Sequence, residues 1–227
     1  MFHNTISYDA QVVQNEKEAP AGGTINEKLL EAAMQTLSEG GWDALSLQSV
    51  ADRAGVSRVT AWRQANSKDR LVNALLGRLA TDYRDTMWPI LTASGTGAER
   101  LEAALYGLCE VADRHLPLLL VSDNAFHRAN KEAQPVVAFT EPLVRLIRDG
   151  VTDKSLEPPA DCETMGQVVF NTTCWSYVHL RGRHGWDVPK ARNLLIQLIL
   201  GGLRGPSEPL GRSPNAIGPQ PGGASKR

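Results

Sequence analysis

The chain has 227 residues, of which 42% are hydrophobic, and its formal net charge is −1. This length suits one compact unit plus a second, and so much apolar material excludes a wholly disordered chain. A net charge near zero excludes a protein that coats nucleic acid along its length, but it leaves room for a local basic patch. Three cysteines without a CxxC pair fit neither a disulfide scaffold nor a zinc ribbon. We expect them to be small buried hydrophobes.

Both ends of the chain are poor in apolar residues. Residues 1–20 lack the basic start and apolar run of a signal peptide. Residues 1–23 finish in Ala-Pro-Ala-Gly-Gly, and residues 204–227 are rich in Gly, Pro and Ser. Such segments predict disordered tails, with the fold confined to 24–203. No stretch reaches the roughly 18 consecutive apolar residues of a membrane span, so we expect a cytoplasmic protein.

The first predicted helix begins at Thr24, which is a good N-cap and forms a capping-box pattern with Glu27. Gly40-Gly41 is expected to end it by allowing a left-handed turn. Apolar residues recur between these limits at helical spacing: Ile25, Leu29, Leu30, Ala33, Met34 and Leu37.

Two short helices follow. Ser46 caps the second helix and Gly55 ends it, and only Val56 separates that glycine from Ser57, the N-cap of a third helix that runs through Ala65. Two short helices joined by a tight glycine-containing turn are typical of a helix-turn-helix, whose recognition helix would start at Ser57.

The rest of the chain predicts longer helices and no strand. Ser67 caps a fourth helix that is expected to run to about Trp88, where Pro89 would end it. After a break at residues 94–97, the pattern predicts a helix that stops before Pro117 and a short apolar element at about 117–127. A helix with Pro135 in its first turn is expected to run to Gly150. Two final helices are predicted at about 161–181 and 188–203, the last one capped by Asp187.

Positive charge is concentrated between Arg53 and Arg70, a segment that contains five basic residues and one acidic residue, Asp69. Three helices begin there, and their free N–H groups and dipoles favour phosphate. Arg suits guanine edges, Thr and Val can contact thymine methyls, and Trp62 can donate its indole N–H to a phosphate. The residues predicted to contact DNA are Ser46, Ser57, Arg58, Val59, Thr60, Trp62, Arg63 and Lys68.

Residues from about Ile25 to Leu76 closely resemble the DNA-binding domain of the tetracycline-repressor (TetR) family. The resemblance is carried by Ile25 to Leu37, Gly40-Gly41-Trp42-Asp43-Ala44, Ser46 to Ala51, Ala54-Gly55-Val56-Ser57, Thr60, the aromatic residue at 62, Ser67-Lys68-Asp69 and Leu71. It implies a dimeric all-helical regulator, usually a repressor, that releases a palindromic operator when a small molecule binds the C-terminal domain.

The chain departs from the family pattern within the recognition helix. Val59, Ala61 and Trp62 stand where the family commonly has Gly, Leu and Tyr, and Ala65-Asn66 replaces Phe-Pro. Loss of that Phe is expected to loosen the packing between the third and fourth helices, with Trp62 compensating in volume. The branched Val59 would alter base preference at the groove surface.

The C-terminal half resembles the family too little to assign residues individually. By analogy, the last two helices should form a four-helix dimer interface, although a role in the core of one chain is an alternative for each candidate. Those candidates are Val168, Val169, Thr172, Trp175, Leu194, Leu195, Leu198 and Ile199. A pocket for an apolar or aromatic effector is expected to use Trp88, His115, Phe126, His127, Met165, Phe170, Asn171 and Trp175, which mix apolar bulk with a few polar groups.

No catalytic residue, metal site or cofactor is predicted. Cys174, His179 and His184 are spaced five apart, so one helical face should not present them together, and no GxSxG, HExxH or phosphate loop occurs. The sequence therefore predicts an all-α protein with an N-terminal three-helix DNA-binding domain at 24–70 and a helical ligand-binding and dimerisation domain at 71–203. A helical interaction or ligand-binding module that has lost specific DNA binding is the alternative.

Overall fold

The computed structural model describes residues 25–121 and 136–204. Within these ranges there are only helices and connecting segments, in agreement with the predicted all-α class. A short helical segment at 116–121 follows the fifth helix. The helices are α1 (Glu27–Ala44), α2 (Leu47–Ala54), α3 (Arg58–Gln64), α4 (Lys68–Leu91), α5 (Gly97–Arg114), α6 (Val136–Thr152), α7 (Cys162–Gly182) and α8 (Val188–Leu203).

Short polar side chains cap the helices where the sequence predicted them, except at α1. Ser46, Ser57, Ser67 and Asp187 each accept a hydrogen bond from a backbone N–H in the first turn. The prediction for α1 is wrong, because Asn26 is its N-cap and accepts the Leu29 N–H at 3.0 Å. Thr24 lies outside the described residues.

A residue of another helix contributes to the cap at Asn26. Its own backbone N–H donates to Oε1 of Gln64, on α3, at 2.9 Å. In a capping box this bond is made by the third residue of the same helix. Glu27, the first helical residue, instead forms an ion pair with Arg78 on α4.

The other ends of α1 and α4 differ from expectation. Gly41 has φ of 63° and breaks α1 as predicted, but one further turn continues to Ala44. Pro89 does not end α4, which extends to Leu91. A proline so near the C-terminus removes a single helical hydrogen bond. The Thr92 hydroxyl, 3.3 Å from the Trp88 and Pro89 carbonyl oxygens, satisfies orphaned acceptors of the last turn.

Helix α6 passes Gly150, the predicted end, and stops at Thr152. Gly150 is buried where the N-terminus of α5 approaches it, and a Cβ on Gly97 would lie 2.1 Å from the Gly150 nitrogen. The segment after α6 then caps α5, since Asp153 accepts the Gly97 N–H at 2.6 Å and Ser155 accepts the Ala98 N–H at 2.9 Å. The predicted Pro135 lies outside the described residues.

Two hydrophobic clusters meet along α4. Leu71 and Leu75 belong to an N-terminal cluster with α1, α2 and α3, whereas Leu79 and Tyr83 belong to a larger C-terminal cluster built from α4 to α8. Leu118, from the segment after α5, is fully buried in the N-terminal cluster. Helix α4 and Leu118 thus join the two parts of the fold.

Two of the three cysteines are buried, as the sequence predicted for all three. Cys109 and Cys174 are buried, and burial raises the pKa of each thiol to about 12. Cys162 is only partly buried at the start of α7, and all three thiols are free. Among the helices of the described ranges, none has the length and apolar character needed to cross a membrane.

Candidate nucleic-acid interface

Helices α2 and α3 form the predicted helix-turn-helix. Gly55 ends α2 with φ of 66° and ψ of 32°, the left-handed conformation that glycine adopts at little cost. The Val56 N–H then donates to the Ala51 carbonyl at 3.0 Å, which closes the turn before Ser57 caps α3. Ala51 and Ala61 are fully buried, so the two helices approach closely and α3 has a fixed orientation.

The face of α3 that points away from the N-terminal cluster is exposed. Val59 is 67% exposed and Trp62 is 59% exposed, although both are large and apolar. Arg58 and Arg63 are exposed beside them. Two bulky apolar side chains and two arginines on the outer face of a seven-residue helix indicate a surface built to contact another molecule.

Ser57 and Thr60 are tied to each other at the start of α3. The Ser57 hydroxyl accepts the Thr60 N–H at 3.1 Å and lies 2.9 Å from the Thr60 hydroxyl. Ser46 makes a similar arrangement on α2, where it exchanges two hydrogen bonds of 3.0 Å with Ser49. These serines shape the two helix N-termini, and the N–H groups of a first turn favour anions.

The basic residues around α3 differ in their partners. Arg53 forms a two-pronged ion pair with Glu39, with Nη1 2.9 Å from Oε1. Among the described residues, no ion pair involves Arg58 or Arg63. Arg58 and Arg63, both on α3, are therefore among the charges that a partner could meet, whereas Arg53 is already neutralised by Glu39.

Lys68 has an internal contact that the sequence reasoning missed. Its Nζ donates to the Trp42 carbonyl oxygen at 2.5 Å and lies 4.0 Å from the centre of the Trp42 ring. Desolvation lowers the pKa of Lys68, against the opposing attraction of Asp43 and Asp69. The lysine thus ties the N-terminus of α4 to the end of α1. An aromatic residue directly after the helix-breaking Gly41 was the available sequence signal.

One predicted consequence of the departures in α3 is wrong. Trp62 points outward and does not fill the space of the missing Phe. The junction between α3 and α4 is instead closed by small and branched side chains, because Ala65 is 1% exposed and Leu71 is fully buried.

The predicted effector residues are spread over several environments. Trp88 is exposed beside a cleft between α4 and α6, whereas Met165, Phe170 and Trp175 are partly buried against the C-terminal cluster. His115 is buried, and its Nε2 lies 2.8 Å from an Asp82 carboxylate oxygen. The exposed Asn171 donates to a carbonyl of its own helix, and Phe126 and His127 lie outside the described residues.

The candidate interface residues of α7 and α8 separate into two groups. Val169 and Leu195 are buried within the chain, while Thr172, Trp175 and Ile199 are partly buried. The exposed group consists of Val168, Leu194 and Leu198.

The spacing argument against a cluster of Cys174, His179 and His184 is only partly correct. The two imidazole rings lie 4.7 Å apart, because α7 ends at Gly182 and the His184 N–H turns back to the His179 carbonyl at 3.2 Å. Cys174 is buried one and a half turns earlier. In the part of the chain that the structure describes, no three such side chains are grouped to hold a metal.

Comparisons with known proteins agree with this architecture. Residues 29–75 match the family model described as bacterial regulatory proteins, tetR family. The chain is 26% identical over 200 residues to the HTH-type transcriptional repressor KstR of Mycobacterium tuberculosis, an alignment that covers 85% of this chain and 88% of the relative.

Two solved structures show the same fold. The fatty acid degradation regulator FadR from Bacillus halodurans has a TM-score of 0.68 and 18% identity, and the ketosteroid transcriptional regulator KstR2 of Mycobacterium tuberculosis has a TM-score of 0.62 and 20% identity. Each alignment covers 82% of this chain and 99% of the other.

The helix-turn-helix, the exposed face of α3 and the helical C-terminal part together define a DNA-binding transcriptional regulator. The matches to the family model and to a curated repressor agree with that class, which is one of regulators and not of enzymes. Residues 29–75 of this chain are similar to the DNA-binding part of the TetR family, as the N-terminal sequence predicted.

Proposed function

We propose that this regulator is a repressor that binds a palindromic operator as a homodimer and leaves it when a small molecule binds the C-terminal part. The single observation that carries the proposal is the outer face of α3, where Arg58, Val59, Trp62 and Arg63 are exposed on a rigidly held recognition helix. The relative KstR is itself named a transcriptional repressor.

The side chains of α3 have distinct proposed roles. Arg58, in the first turn, reads a guanine edge, and Val59 contacts a thymine methyl. Trp62 and Arg63, one turn further along, meet the phosphate backbone. Thr60 adds a base contact through its methyl group, since its hydroxyl is already paired with Ser57.

The helix N-termini would hold the backbone of the duplex. Ser46 and Ser57 begin α2 and α3, where free N–H groups favour a phosphate. Lys68 adds a positive charge at the first turn of α4, held in place by Trp42. These contacts position the protein without reading sequence.

Dimerisation would use the exposed apolar residues of α7 and α8. Leu198 is 72% exposed, and Leu194 lies one turn before it on α8, with Val168 exposed on α7. A second copy that packs against this face would bury it and set two recognition helices about 34 Å or slightly more apart, one turn of DNA.

The Leu198→Glu variant tests this interface. A charge in a buried apolar interface is costly, so the variant should elute as a monomer and lose operator binding while circular dichroism shows an unchanged helix content. Ala103→Glu, which places the same charge on an exposed position of α5, is the matched control and should stay dimeric. A Leu198→Glu protein that remains a dimer would place the interface elsewhere.

We further propose that the effector is apolar or aromatic and that the protein acts in the cytoplasm, where operator DNA is accessible. KstR2 is a ketosteroid transcriptional regulator and FadR is a fatty acid degradation regulator, and ketosteroids and fatty acids are both largely apolar. The extensive C-terminal cluster supplies an apolar setting for such a molecule.

Selection from random duplex DNA with the full chain tests the function. The expected result is enrichment of one palindrome with half-sites about one helical turn or slightly more apart. Failure to enrich any palindrome would support the alternative, a helical interaction or ligand-binding module that has lost specific DNA binding.

A further inference from the structure

A cleft of about 620 Å³ opens between α4 and α6. Small-molecule sites commonly have volumes of about 300–1,000 Å³. The Tyr83 hydroxyl donates to the Phe139 carbonyl oxygen at 2.6 Å, and the two rings lie 5.1 Å apart, which fixes the two helices at this point. The apolar lining consists of Ala80, Tyr83, Met87, Trp88, Leu91, Phe139 and Pro142.

Trp88 stands at the edge of this cleft with 67% of its surface exposed. It follows Arg84 by one turn of α4, so the two side chains share one side of the helix. A large aromatic ring beside an apolar cleft is a typical contact for a bound molecule, because burying it gains much apolar surface.

Charged side chains form the rim of the cleft. Arg84, Arg145 and Arg148 line it together with two acids, Glu141 and Asp149. Asp149 is already paired, since its carboxylate lies 3.0 Å from an Arg100 nitrogen outside the cleft. The rim therefore carries three arginines and two acids, and the partners of each decide which charge a bound molecule can meet.

The three arginines differ in their availability. Arg148 pairs with Glu163 on α7, and Arg84 lies 3.1 Å from its exposed neighbour Asp85. Within the described ranges, no ion pair involves Arg145, and Glu141 one turn before it is not within ion-pair distance. Arg145 is exposed and lines the cleft, so it is free to meet an anionic group.

We infer that the cleft between α4 and α6 binds an amphipathic anion. Its apolar body would lie on Trp88, Leu91 and Phe139, and its carboxylate or phosphate would meet Arg145 and Arg84. This deepens the proposed function, on which it rests for its regulatory meaning, by giving the effector a charged end. Helix α4 also carries Leu71 and Leu75 of the N-terminal cluster, so the occupied cleft touches a helix shared with the DNA-binding part.

Binding of three twelve-carbon amphiphiles to the full chain tests the inference. Dodecanoate, dodecyl phosphate and dodecanol are titrated below their micelle concentrations, with calorimetry and tryptophan fluorescence as the readouts. At least one anion should bind more tightly than dodecanol, and Trp88→Phe should abolish the fluorescence change. The stronger of the two anions identifies the end group as carboxylate or phosphate.

The Arg145→Gln variant separates charge recognition from apolar burial. It should weaken binding of the preferred anion about ten- to a hundred-fold, as expected for loss of a charge-assisted hydrogen bond, and leave dodecanol binding unchanged. Arg183→Gln, which removes an exposed arginine beyond the end of α7, should have no effect.

Equal affinity for dodecanol and both anions would overturn the inference, as would an Arg145→Gln protein that is folded and binds the preferred anion like the wild type. Calorimetry needs no DNA, so its outcome is independent of operator selection. A chain that binds the anion through Arg145 but enriches no palindrome would refute the proposed function alone.

Discussion

His115 occupies the junction between the two parts of the fold. It follows α5, is buried, and contacts Asp82 on α4 at 2.8 Å, while Nδ1 has no hydrogen-bond partner among the described residues. Burial lowers the pKa of His115, and the positive charges of Arg78 and Arg114 act in the same direction, against the raising effect of Asp82. The imidazole is therefore held neutral near pH 7.

Because the folded pKa of His115 is below that of the unfolded chain, the unfolded state binds the extra proton first as the pH falls. The stability that neutral His115 provides is fully present above about pH 6.5 and is lost as the pH falls below it toward the folded pKa. His115→Gln should flatten the dependence of the melting temperature on pH between 7 and 5. His184→Gln, at an exposed position, is the control. An unchanged slope in His115→Gln would contradict this role.

Lys68 stands at the first turn of α4, where its charge opposes the helix dipole. The contacts with the Trp42 carbonyl and ring compensate for that cost. Lys68→Met should lower the free energy of unfolding by about 1 kcal/mol, measured by urea denaturation. It should also weaken binding to all DNA sequences and reduce the salt slope by about 1. Lys28→Met, an exposed control on α1, should change neither quantity. An unaltered salt slope in Lys68→Met would limit the lysine to a structural role.

The helix ends that depend only on neighbouring residues were predictable from the sequence. Ser46, Ser57 and Asp187 cap their helices because each cap needs only a side-chain oxygen and the next turn. The helix ends that were predicted wrongly depend on residues far away in the sequence, or lie where more than one nearby residue could end or cap the helix. Asn26 caps α1 in place of Thr24 with the help of Gln64, and α4 continues two residues past Pro89 to Leu91.

In the nucleic-acid interface too, the features set by neighbouring residues were predictable and those set by distant contacts were not. The turn at Gly55 and the recognition helix were evident from local patterns, and family resemblance made their function plain. The exposed position of Trp62 agrees with its predicted DNA contact and not with the predicted filling of the missing Phe. Neither source showed that Lys68 contacts Trp42, since this contact follows from the packing of α1 and α4. The cleft rim was also beyond sequence reasoning, because Arg84 and Arg145 lie on separate helices.

Gly55 allows a direct test of the turn that sets the direction of α3. A Cβ at this position would meet no atom within 4 Å, so Gly55→Ala is strained only by its positive φ. We expect a loss of about 1–2 kcal/mol in the free energy of unfolding, and Gly55→Asn should lose less. Gly77→Ala, on α4 with equally open surroundings, should gain about 0.5–1 kcal/mol. Equal effects at both positions would show that the left-handed turn is not needed.

In the whole molecule, α4 and Leu118 connect the N-terminal cluster, which holds the helix-turn-helix, to the C-terminal cluster. Leu118 is fully buried among side chains of the N-terminal cluster, although it follows α5 of the other part. A molecule that binds against α4 or α5 therefore acts on elements that also support α1 and α2. This shared packing gives a physical route by which effector binding could reposition α3.

The most direct measurement of the central claim is operator selection with matched variants of the full chain. Wild type and Arg183→Ala should enrich the same palindrome, while Arg58→Ala should relax or change the preference at one position of each half-site, at a cost of about 1–3 kcal/mol for the original base pair. An Arg58→Ala protein that enriches the wild-type palindrome without change would contradict the assignment of base reading to α3.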